Sequence, residues 1–306
     1  MRQDVEFPAA HGTVLRGWLY TPDDRTGRSP GVVMAHGFSA TKEMALDRFA
    51  EVFAAAGLAV LVYDHRNLGA SDGEPRQEIN PWAQARDYRF ALAWLAARPE
   101  IDAARLALWG SSFSGAHVLA VGAIDPRVRA VVANVPFAGL PGVDYADRDD
   151  VRRRFERLRA ALLDESGAGP ADRPAEPVGP MPVVAERPGE PCFLPQPESA
   201  RWFLSAGRRP GSRWRNEFTL RTGAADAPLW DPGVCAPFVG PKALLMVVAS
   251  EDRLAATDVA LASFERAAEP KQLEILAGDH FAPYDGEAFA RTSAVMAAFL
   301  RRSLGA

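Results

Sequence analysis

The chain has 306 residues, of which 48% are hydrophobic and 24% are charged, proportions close to those of an average soluble globular protein. Such a composition excludes a disordered, collagen-like or disulfide-scaffold protein. The 35 Lys and Arg residues against 39 Asp and Glu residues give a net charge of −4, which argues against nonspecific binding to nucleic acid.

The chain opens with two predicted strands in its first 20 residues, joined by a turn at His11 and Gly12. Six short apolar runs follow along the chain. Runs of this length between turn residues are typical of strands buried on both faces of a sheet. The runs are 31–35, 58–63, 106–109, 128–135, 243–249 and 273–276.

Helical spacing of apolar residues fills the gaps between these runs. The predicted helices are 43–56, 81–97, 113–123, 257–268 and 286–302. The second begins after Asn80 with Pro81 at its first position, which is a favourable helix start. Alternating strands and helices predict an α/β fold with a mostly parallel central sheet flanked by helices, to which the N-terminal pair adds antiparallel edge strands.

One segment interrupts this alternation, and 15 of the 25 prolines lie between Pro141 and Pro241. It contains one predicted helix, 149–163, whose run Arg152 to Arg154 is expected on a solvated face. Residues 167–197 are rich in Gly and Pro and are expected to lack regular structure. Long irregular stretches are usually lids or linkers. We therefore expect a core of residues 1–137 and 237–306, with a lid or cap at 138–236 after the sixth strand.

Three serines stand in the segment that follows the third buried run and precedes a helix. A serine on a sharp strand-to-helix turn forms a nucleophile elbow, which requires small residues two positions before and after it. Ser111 has the large Trp109 two positions before it, and Ser114 lies too far into the helix. Ser112 has Gly110 and Ser114 as its flanks and is the predicted nucleophile, although Ser114 stands where the motif usually has Gly.

An acid and a base are expected after later strands, in the order nucleophile, acid, base. Asp252 follows the fifth apolar run and His280 follows the sixth. Glu251 and Asp258 compete for the acid role, but Asp258 falls in the next predicted helix. The chemistry needs these residue types, because a serine hydroxyl becomes nucleophilic when an imidazole takes its proton and a carboxylate orients the imidazole.

The remaining histidines have a weaker context for the role of base. They are His11, His36, His65 and His117. His117 lies in the helix after Ser112 and is expected to pack in the core or to contact the lid. Asp64 and Arg66 are expected to brace loops beside the site.

An oxyanion hole needs two backbone N–H groups, one after the nucleophile and one in the loop after an early strand. Phe113 supplies the first. His36 and Gly37 directly follow the first buried run, so the N–H of Phe38 is the predicted second donor.

With these motifs the chain resembles the α/β-hydrolase superfamily over residues 1–137 and 237–306. More narrowly, it is similar to a branch that contains bacterial esterase-like hydrolases and fungal polyketide transferases. The resemblance rests on residues 36–43, 63–66, 110–115, 214–216 and 278–281. The chain departs from the pattern at Ala116, where a second glycine is usual, and at Asp279, where a small residue is usual beside His280.

The triad and the resemblance predict a serine hydrolase that cleaves a carboxylic ester or thioester through an acyl-enzyme on Ser112. An acyltransferase that passes the acyl group to an alcohol is the alternative, and a non-catalytic binding protein on the same fold is a third hypothesis. Trp202, Phe203 and Trp214 are expected to form part of the acyl pocket or to attach the lid to the core. Alternatively, they form a small core of the lid itself.

The sequence predicts neither a metal nor a cofactor, because it has no metal-ligand cluster and no Gly-rich nucleotide loop. Cys192 and Cys235 are interpreted as ordinary thiols in a reducing compartment. The first residues lack a basic start followed by an apolar run, and no window holds 18 uninterrupted apolar residues. We expect a cytoplasmic protein with a small-molecule partner, neither nucleic acid nor membrane, and a homo-oligomer is compatible with the sequence.

Overall fold

The computed structural model describes residues 1–23, 27–164, 166, 168–173 and 175–306. The described strands are β1 Arg2–Pro8, β2 Val14–Tyr20, β3 Ser29–Ala35, β4 Ala59–Tyr63, β5 Glu78–Ile79, β6 Ile101–Ser111, β7 Val128–Asn134, β8 Val178–Met181, β9 Phe218–Leu220, β10 Ala243–Ala249 and β11 Lys271–Leu276. The described α-helices are α1 Leu46–Ala55, α2 Pro81–Ala96, α3 Phe113–Ile124, α4 Arg148–Leu163, α5 Pro197–Ala206, α6 Thr257–Arg266 and α7 Gly286–Leu304.

Eight strands form the central sheet, in the spatial order β1-β2-β4-β3-β6-β7-β10-β11. The pairs β1/β2 and β2/β4 are antiparallel, and every other neighbouring pair of this sheet is parallel. The predicted mostly parallel sheet with antiparallel strands at its N-terminal edge is confirmed. Because the parallel strands point the same way, the segments after β3, β6, β10 and β11 all emerge at one edge.

Alternate residues of each buried strand supply the two faces of the sheet, as the twofold period of a strand requires. Val33 of β3 and Leu108 of β6 belong to the apolar cluster beneath α2 and α3. Val32 and Trp109 face the opposite cluster, which packs against α1 and α7. Burial on both faces explains why these runs are apolar throughout rather than alternating.

The predicted start of α2 is confirmed, whereas α1 begins later than predicted. The Asn80 side chain accepts hydrogen bonds from the N–H groups of Trp82 and Ala83 at 3.0 and 3.2 Å. The helix predicted from residue 43 begins at Leu46 instead, because Ala45 has a left-handed φ of 80°. Residues 41–45 thus form a turn.

Residues 138–236, called here the inserted segment, lie between β7 and β10. They contain α4 and also α5, so the prediction of a single helix is wrong. Helix α5 has only ten residues, so the helical spacing of its apolar side chains is a weak signal. The helix is stabilised by the burial of Phe203 and Ser199. Within 167–197, expected to be irregular, β8 pairs antiparallel with β9, while Gly167 and Pro174 lie outside the described residues.

Three kinds of contact attach the inserted segment to the rest of the chain. Its β9 pairs in parallel with β5, which precedes α2. Arg86 of α2 forms an ion pair with Asp172. The ring of Trp230 lies 5.0 Å from that of Trp82 and 5.4 Å from that of His117. The middle and the C-terminal part of the inserted segment are therefore attached to α2, α3 and the strand that precedes α2.

The arginine run of α4 is only partly a solvated face. Arg152 and Arg153 are exposed as predicted. Arg154 instead forms an ion pair with the buried Asp231, which also accepts a hydrogen bond from the Tyr145 hydroxyl at 2.7 Å. In the described part of the chain, no helix combines the length and the apolar character that crossing a bilayer requires.

Candidate active site

Ser112 occupies the corner between β6 and α3, where the sequence predicts the nucleophile elbow. Its backbone has φ 55° and ψ −117°, a strained conformation for a residue with a side chain. Gly110 is needed here, because a Cβ at that position would overlap the carbonyl group of Ser114. The Ser112 N–H donates to the Asn134 carbonyl at 2.9 Å, so the neighbouring strand β7 helps to hold the turn.

Ser112, His280 and Asp252 converge although they are far apart in sequence. The Ser112 Oγ lies 2.9 Å from the His280 Nε2. The His280 Nδ1 lies 2.6 Å from the Asp252 Oδ2. His280 is 2% exposed and Asp252 is 7% exposed, so water is largely excluded from the His–Asp contact. The arrangement has the geometry of a nucleophile, a base and an orienting acid.

The second carboxylate oxygen of Asp252 is held by the backbone that follows it. Its Oδ1 accepts hydrogen bonds from the N–H groups of Leu254 and Ala255 at 2.9 and 2.8 Å. Burial opposes ionisation of Asp252, but the hydrogen bonds from His280 and from these amides outweigh it and lower the pKa of the carboxyl group. Asp252 is therefore an anion at neutral pH.

The competing acids of the sequence lie elsewhere. Glu251 and Asp258 are both exposed, and Asp258 belongs to the first turn of α6. Asp279, although adjacent to His280 in sequence, uses its carboxylate to accept a hydrogen bond from the Phe281 N–H at 2.9 Å. The structure thus brings Asp252, and neither of its two rivals, to the His280 ring.

The two predicted oxyanion donors stand on either side of Ser112. A Cβ on Gly37 would lie 2.8 Å from the Ser112 Cβ, so the loop after β3 reaches the nucleophile only because Gly37 has no side chain. The rings of Phe38 and Phe113 make an edge contact at 5.6 Å between centroids. Among the described residues, neither the Phe38 N–H nor the Phe113 N–H has an acceptor, and both remain free for one.

Three buried histidines surround Ser114 below the nucleophile. The His65 Nε2 lies 2.7 Å from the Ser114 Oγ, and the His117 Nδ1 lies 3.3 Å from it. Burial lowers the pKa of all three imidazoles, that of His65 well below its ordinary value and that of His117 to about 3. His36, His65 and His117 are therefore neutral at pH 7, and His117 packs against Trp230 of the inserted segment.

The predicted bracing residues hold the loop after β4. Asp64, fully buried, accepts hydrogen bonds from the Lys42 N–H at 2.8 Å and from the Lys42 Nζ at 2.7 Å. Arg66 binds both carboxylate oxygens of Asp87 in α2. The Lys42–Asp64 contacts thus tie the loop after β3 to the loop after β4, and the Arg66–Asp87 pair attaches the second loop to α2.

A cavity of about 770 Å³ opens above Ser112 and His280, a size typical of small-molecule sites. No Asp, Glu, Lys or Arg is among the described residues that line it. Aromatic side chains dominate the lining, chiefly Phe38, Phe113, Phe137, Phe193, Trp230 and Phe281. Such walls favour an uncharged, apolar group next to the nucleophile, because burying an unpaired charge there is costly.

The structure separates the three aromatic residues predicted for the lid. Trp202 and Phe203 of α5 line the cavity. Trp202 stacks on Phe281, the residue after His280, with 5.0 Å between ring centroids. Trp214 does not reach the cavity; its ring lies 5.6 Å from that of Phe203 and against Gly207, inside the inserted segment.

Sequence reasoning missed several lining residues. Phe193 lies in the Pro-rich stretch, where no periodicity indicated which way a side chain points, and it stacks on Phe38 at 4.9 Å. Leu254 and Ala255 carried no signal, because they act through backbone N–H groups. Within the described residues, no group of three or more His, Cys, Asp or Glu side chains is placed to hold a metal ion.

The chain is similar to known proteins both in sequence and in structure. Residues 11–155 match the family model described as X-Pro dipeptidyl-peptidase (S15 family). The chain is 32% identical over 277 residues to the polyketide transferase GrgF of a Penicillium species, with 90% of this chain and 88% of that protein covered. It is 30% identical over 287 residues to a thiohydrolase of Eupenicillium brefeldianum, with 90% and 86% covered. The crystal structure of the α/β hydrolase GrgF from Penicillium sp. sh18 superposes with a TM-score of 0.73 at 30% identity, with both chains covered completely.

Proposed function

Since the chain belongs to the branch of the α/β-hydrolase family that includes the fungal polyketide transferases and thiohydrolases, we propose that it cleaves a carboxylic ester or thioester through an acyl-enzyme on Ser112. The chain is an enzyme of the hydrolase and acyltransferase class on the α/β-hydrolase fold. The observation that carries the proposal is the unbroken contact from Ser112 through His280 to Asp252, at 2.9 and 2.6 Å.

In the first half of the reaction, the Ser112 Oγ attacks the acyl carbon while the His280 Nε2 takes its proton. The carbonyl oxygen becomes an oxyanion, and the free N–H groups of Phe38 and Phe113 donate to it. The bond to the leaving oxygen or sulfur then breaks, and His280 returns the proton to the departing alcohol or thiol. Asp252 orients the imidazole and stabilises its cation throughout.

In the second half, a water molecule gives its proton to His280 and attacks the acyl carbon. The bond to Ser112 breaks, the Ser112 oxygen takes the proton back from His280, and a carboxylic acid leaves. The apolar cavity supports an uncharged small-molecule acyl group as the substrate portion bound next to Ser112. The inserted segment acts as the lid of this cavity, because it contributes Trp202, Phe203 and Trp230 to the walls.

The test is the intact mass of the protein after incubation with a fluorophosphonate. One adduct is expected on the wild-type chain and none on a folded Ser112→Ala variant, which should also lose at least about 10³-fold in kcat on esters. A Ser112→Ala variant that keeps most of its ester hydrolysis would rule out the acyl-enzyme. Absence of an adduct on the folded wild-type chain would favour a binding protein.

An acyltransferase is the second candidate, because the relatives include polyketide transferases. The same acyl-enzyme would then be resolved by an alcohol instead of water, and the product would be a new ester. Mass analysis of products in the presence of a candidate alcohol distinguishes the two: free acid as the main product supports the hydrolase, and ester supports the transferase.

A further inference from the structure

Ser114 occupies the position where a nucleophile elbow usually has glycine, and its side chain is completely buried. Its Oγ lies 2.5 Å from the carbonyl oxygen of His36. A carbonyl oxygen only accepts, so the single hydroxyl proton of Ser114 is donated to it. The hydroxyl of the elbow helix α3 is thereby bonded to the loop after β3, which carries Phe38.

The direction of this bond determines the other contacts of Ser114. Because its proton is used, the Ser114 Oγ accepts from the His65 Nε2 at 2.7 Å. His65 is thus neutral with its proton on Nε2, and its Nδ1 is buried without a partner. The His65 backbone N–H donates in turn to the His36 Nε2 at 3.2 Å. His65 therefore orients both Ser114 and the His36 ring.

These bonds fix two successive peptide planes of the loop. The Ser114 hydroxyl holds the plane that contains the His36 carbonyl. The His36 Nδ1, 2.9 Å from the Gly37 carbonyl, holds the next plane. A trans peptide is planar, with its C=O and N–H pointing in opposite directions, so fixing the Gly37 carbonyl also fixes the Phe38 N–H.

We propose that Ser114 is a positioning residue for the reaction: its hydroxyl, oriented by His65, fixes the loop that presents the Phe38 N–H to the developing oxyanion. The inference rests on the proposed acyl-enzyme reaction. An N–H held in advance stabilises charge that appears in the transition state and contributes little to binding of the ground state. Loss of the Ser114 hydroxyl thus lowers kcat and leaves KM nearly unchanged.

The experiment uses Ser114→Ala and Ser114→Gly; glycine is the residue usual at this position, so the elbow tolerates it. Complete removal of an oxyanion donor costs roughly 10²–10³-fold in kcat, and misplacing one costs less. We expect kcat on an ester to fall about 10–100-fold and KM to change less than about threefold. The inhibition constant of an alkyl trifluoromethyl ketone, whose adduct with Ser112 carries the oxyanion, should rise by about the same factor as kcat falls.

Two further variants serve as controls. Ser114→Thr keeps the hydroxyl and should restore kcat to within about threefold. Ser111→Ala removes another buried hydroxyl of the same turn, which lies near Tyr284 and Asn134 and not near the loop after β3. It should change kcat, KM and the inhibition constant less than about threefold.

The proposal is overturned if the Ala and Gly variants keep kcat within threefold, or if only KM or the melting temperature changes. It is equally overturned if Ser111→Ala loses as much as Ser114→Ala, or if a folded Ser114→Thr is as slow as Ser114→Ala. A wild-type chain that neither hydrolyses esters nor reacts with a fluorophosphonate refutes the proposed function instead, and the two failures are thereby distinguished.

Discussion

Asp252 uses its two carboxylate oxygens for two tasks. One oxygen faces the His280 Nδ1, and the other is fixed by the backbone amides of Leu254 and Ala255. The acceptor that orients the imidazole is thus itself held in place, which keeps the proton of His280 on Nδ1 and leaves Nε2 free to accept the proton of Ser112.

Replacing Asp252 with Asn is expected to lower kcat by about 10³–10⁴-fold with the chain still folded. The Asn side chain can present its NH₂ group to the His280 Nδ1, which then accepts a hydrogen bond. The proton of the imidazole is then on Nε2, and His280 cannot accept the proton of Ser112. The measurement is kcat on an ester, with circular dichroism to verify folding.

Asp279→Asn is the matched control for this change. The same isosteric substitution is made one residue from His280, at a carboxylate whose hydrogen-bond donor among the described residues is the Phe281 N–H, and kcat should stay within about twofold. If Asp252→Asn retains a tenth of the wild-type kcat, another group orients His280.

The aromatic residues of the inserted segment around helix α5 have two different surroundings. Trp202 faces the cavity and stacks on Phe281, whereas Trp214, which follows the helix, packs on Phe203 away from the cavity. One residue is therefore expected to control substrate choice, and the other the stability of the inserted segment.

The Trp202→Ala substitution enlarges the cavity next to His280. We expect the ratio of kcat/KM for long acyl chains over short ones to rise at least about fivefold, since each buried methylene contributes roughly 0.8 kcal/mol. A series of p-nitrophenyl esters from acetate to decanoate measures this ratio. Trp214→Ala should lower the melting temperature by several degrees and leave the ratio unchanged. Equal ratios in both variants would contradict a role of Trp202 in the pocket.

Across the whole molecule, the three neutral buried histidines make stability depend on pH. Burial lowers the pKa of His36, His65 and His117 below the ordinary value of 6.5, that of His117 to about 3. Below pH 6.5 the unfolded chain therefore binds more protons than the folded one. Their contribution to stability is complete above pH 6.5 and is lost as the pH falls toward the folded values.

Each of these groups contributes a slope of about 1.4 kcal/mol per pH unit to the free energy of unfolding between its two pKa values. Urea unfolding at pH 7, 6 and 5 should show stability falling steeply with acidification. His117→Gln should reduce the slope by about one such contribution, whereas His11→Gln, at an exposed side chain, should leave it unchanged. A wild-type slope no steeper than that of His117→Gln would contradict the assignment.

Much of the fold was accessible to sequence reasoning because strands buried on both faces have a clear apolar signature. The apolar run 243–249 coincides residue for residue with β10, and Asn80 caps α2 as its position before Pro81 predicts. The end of a strand also predicts where its next residue lies, and the sequence places Ser112, Asp252 and His280 each directly after a predicted strand or within a few residues of its end.

The inserted segment was harder to predict for a physical reason. In regular helices and strands, the spacing of apolar residues indicates which side chains face the interior. Backbone rich in proline and glycine has no such period, so the sequence did not indicate that the Phe193 side chain points toward the cavity. Helix α5 and strand β8 are short, and their stability comes from burial of Phe203 and from pairing with β9. Such tertiary contributions leave little trace in the local pattern.

By itself, the sequence determined the parallel sheet and the chain order of nucleophile, acid and base. The reason is that the spacing of apolar residues and the positions of turn residues depend on local structure. Only the tertiary structure decided that Trp202 faces the cavity while Trp214 does not, and that Ser114 donates to the His36 carbonyl. These contacts join residues 78 or more positions apart or lie in irregular backbone. Their direction is decided by close packing in three dimensions, where each side chain takes the space that its distant neighbours leave.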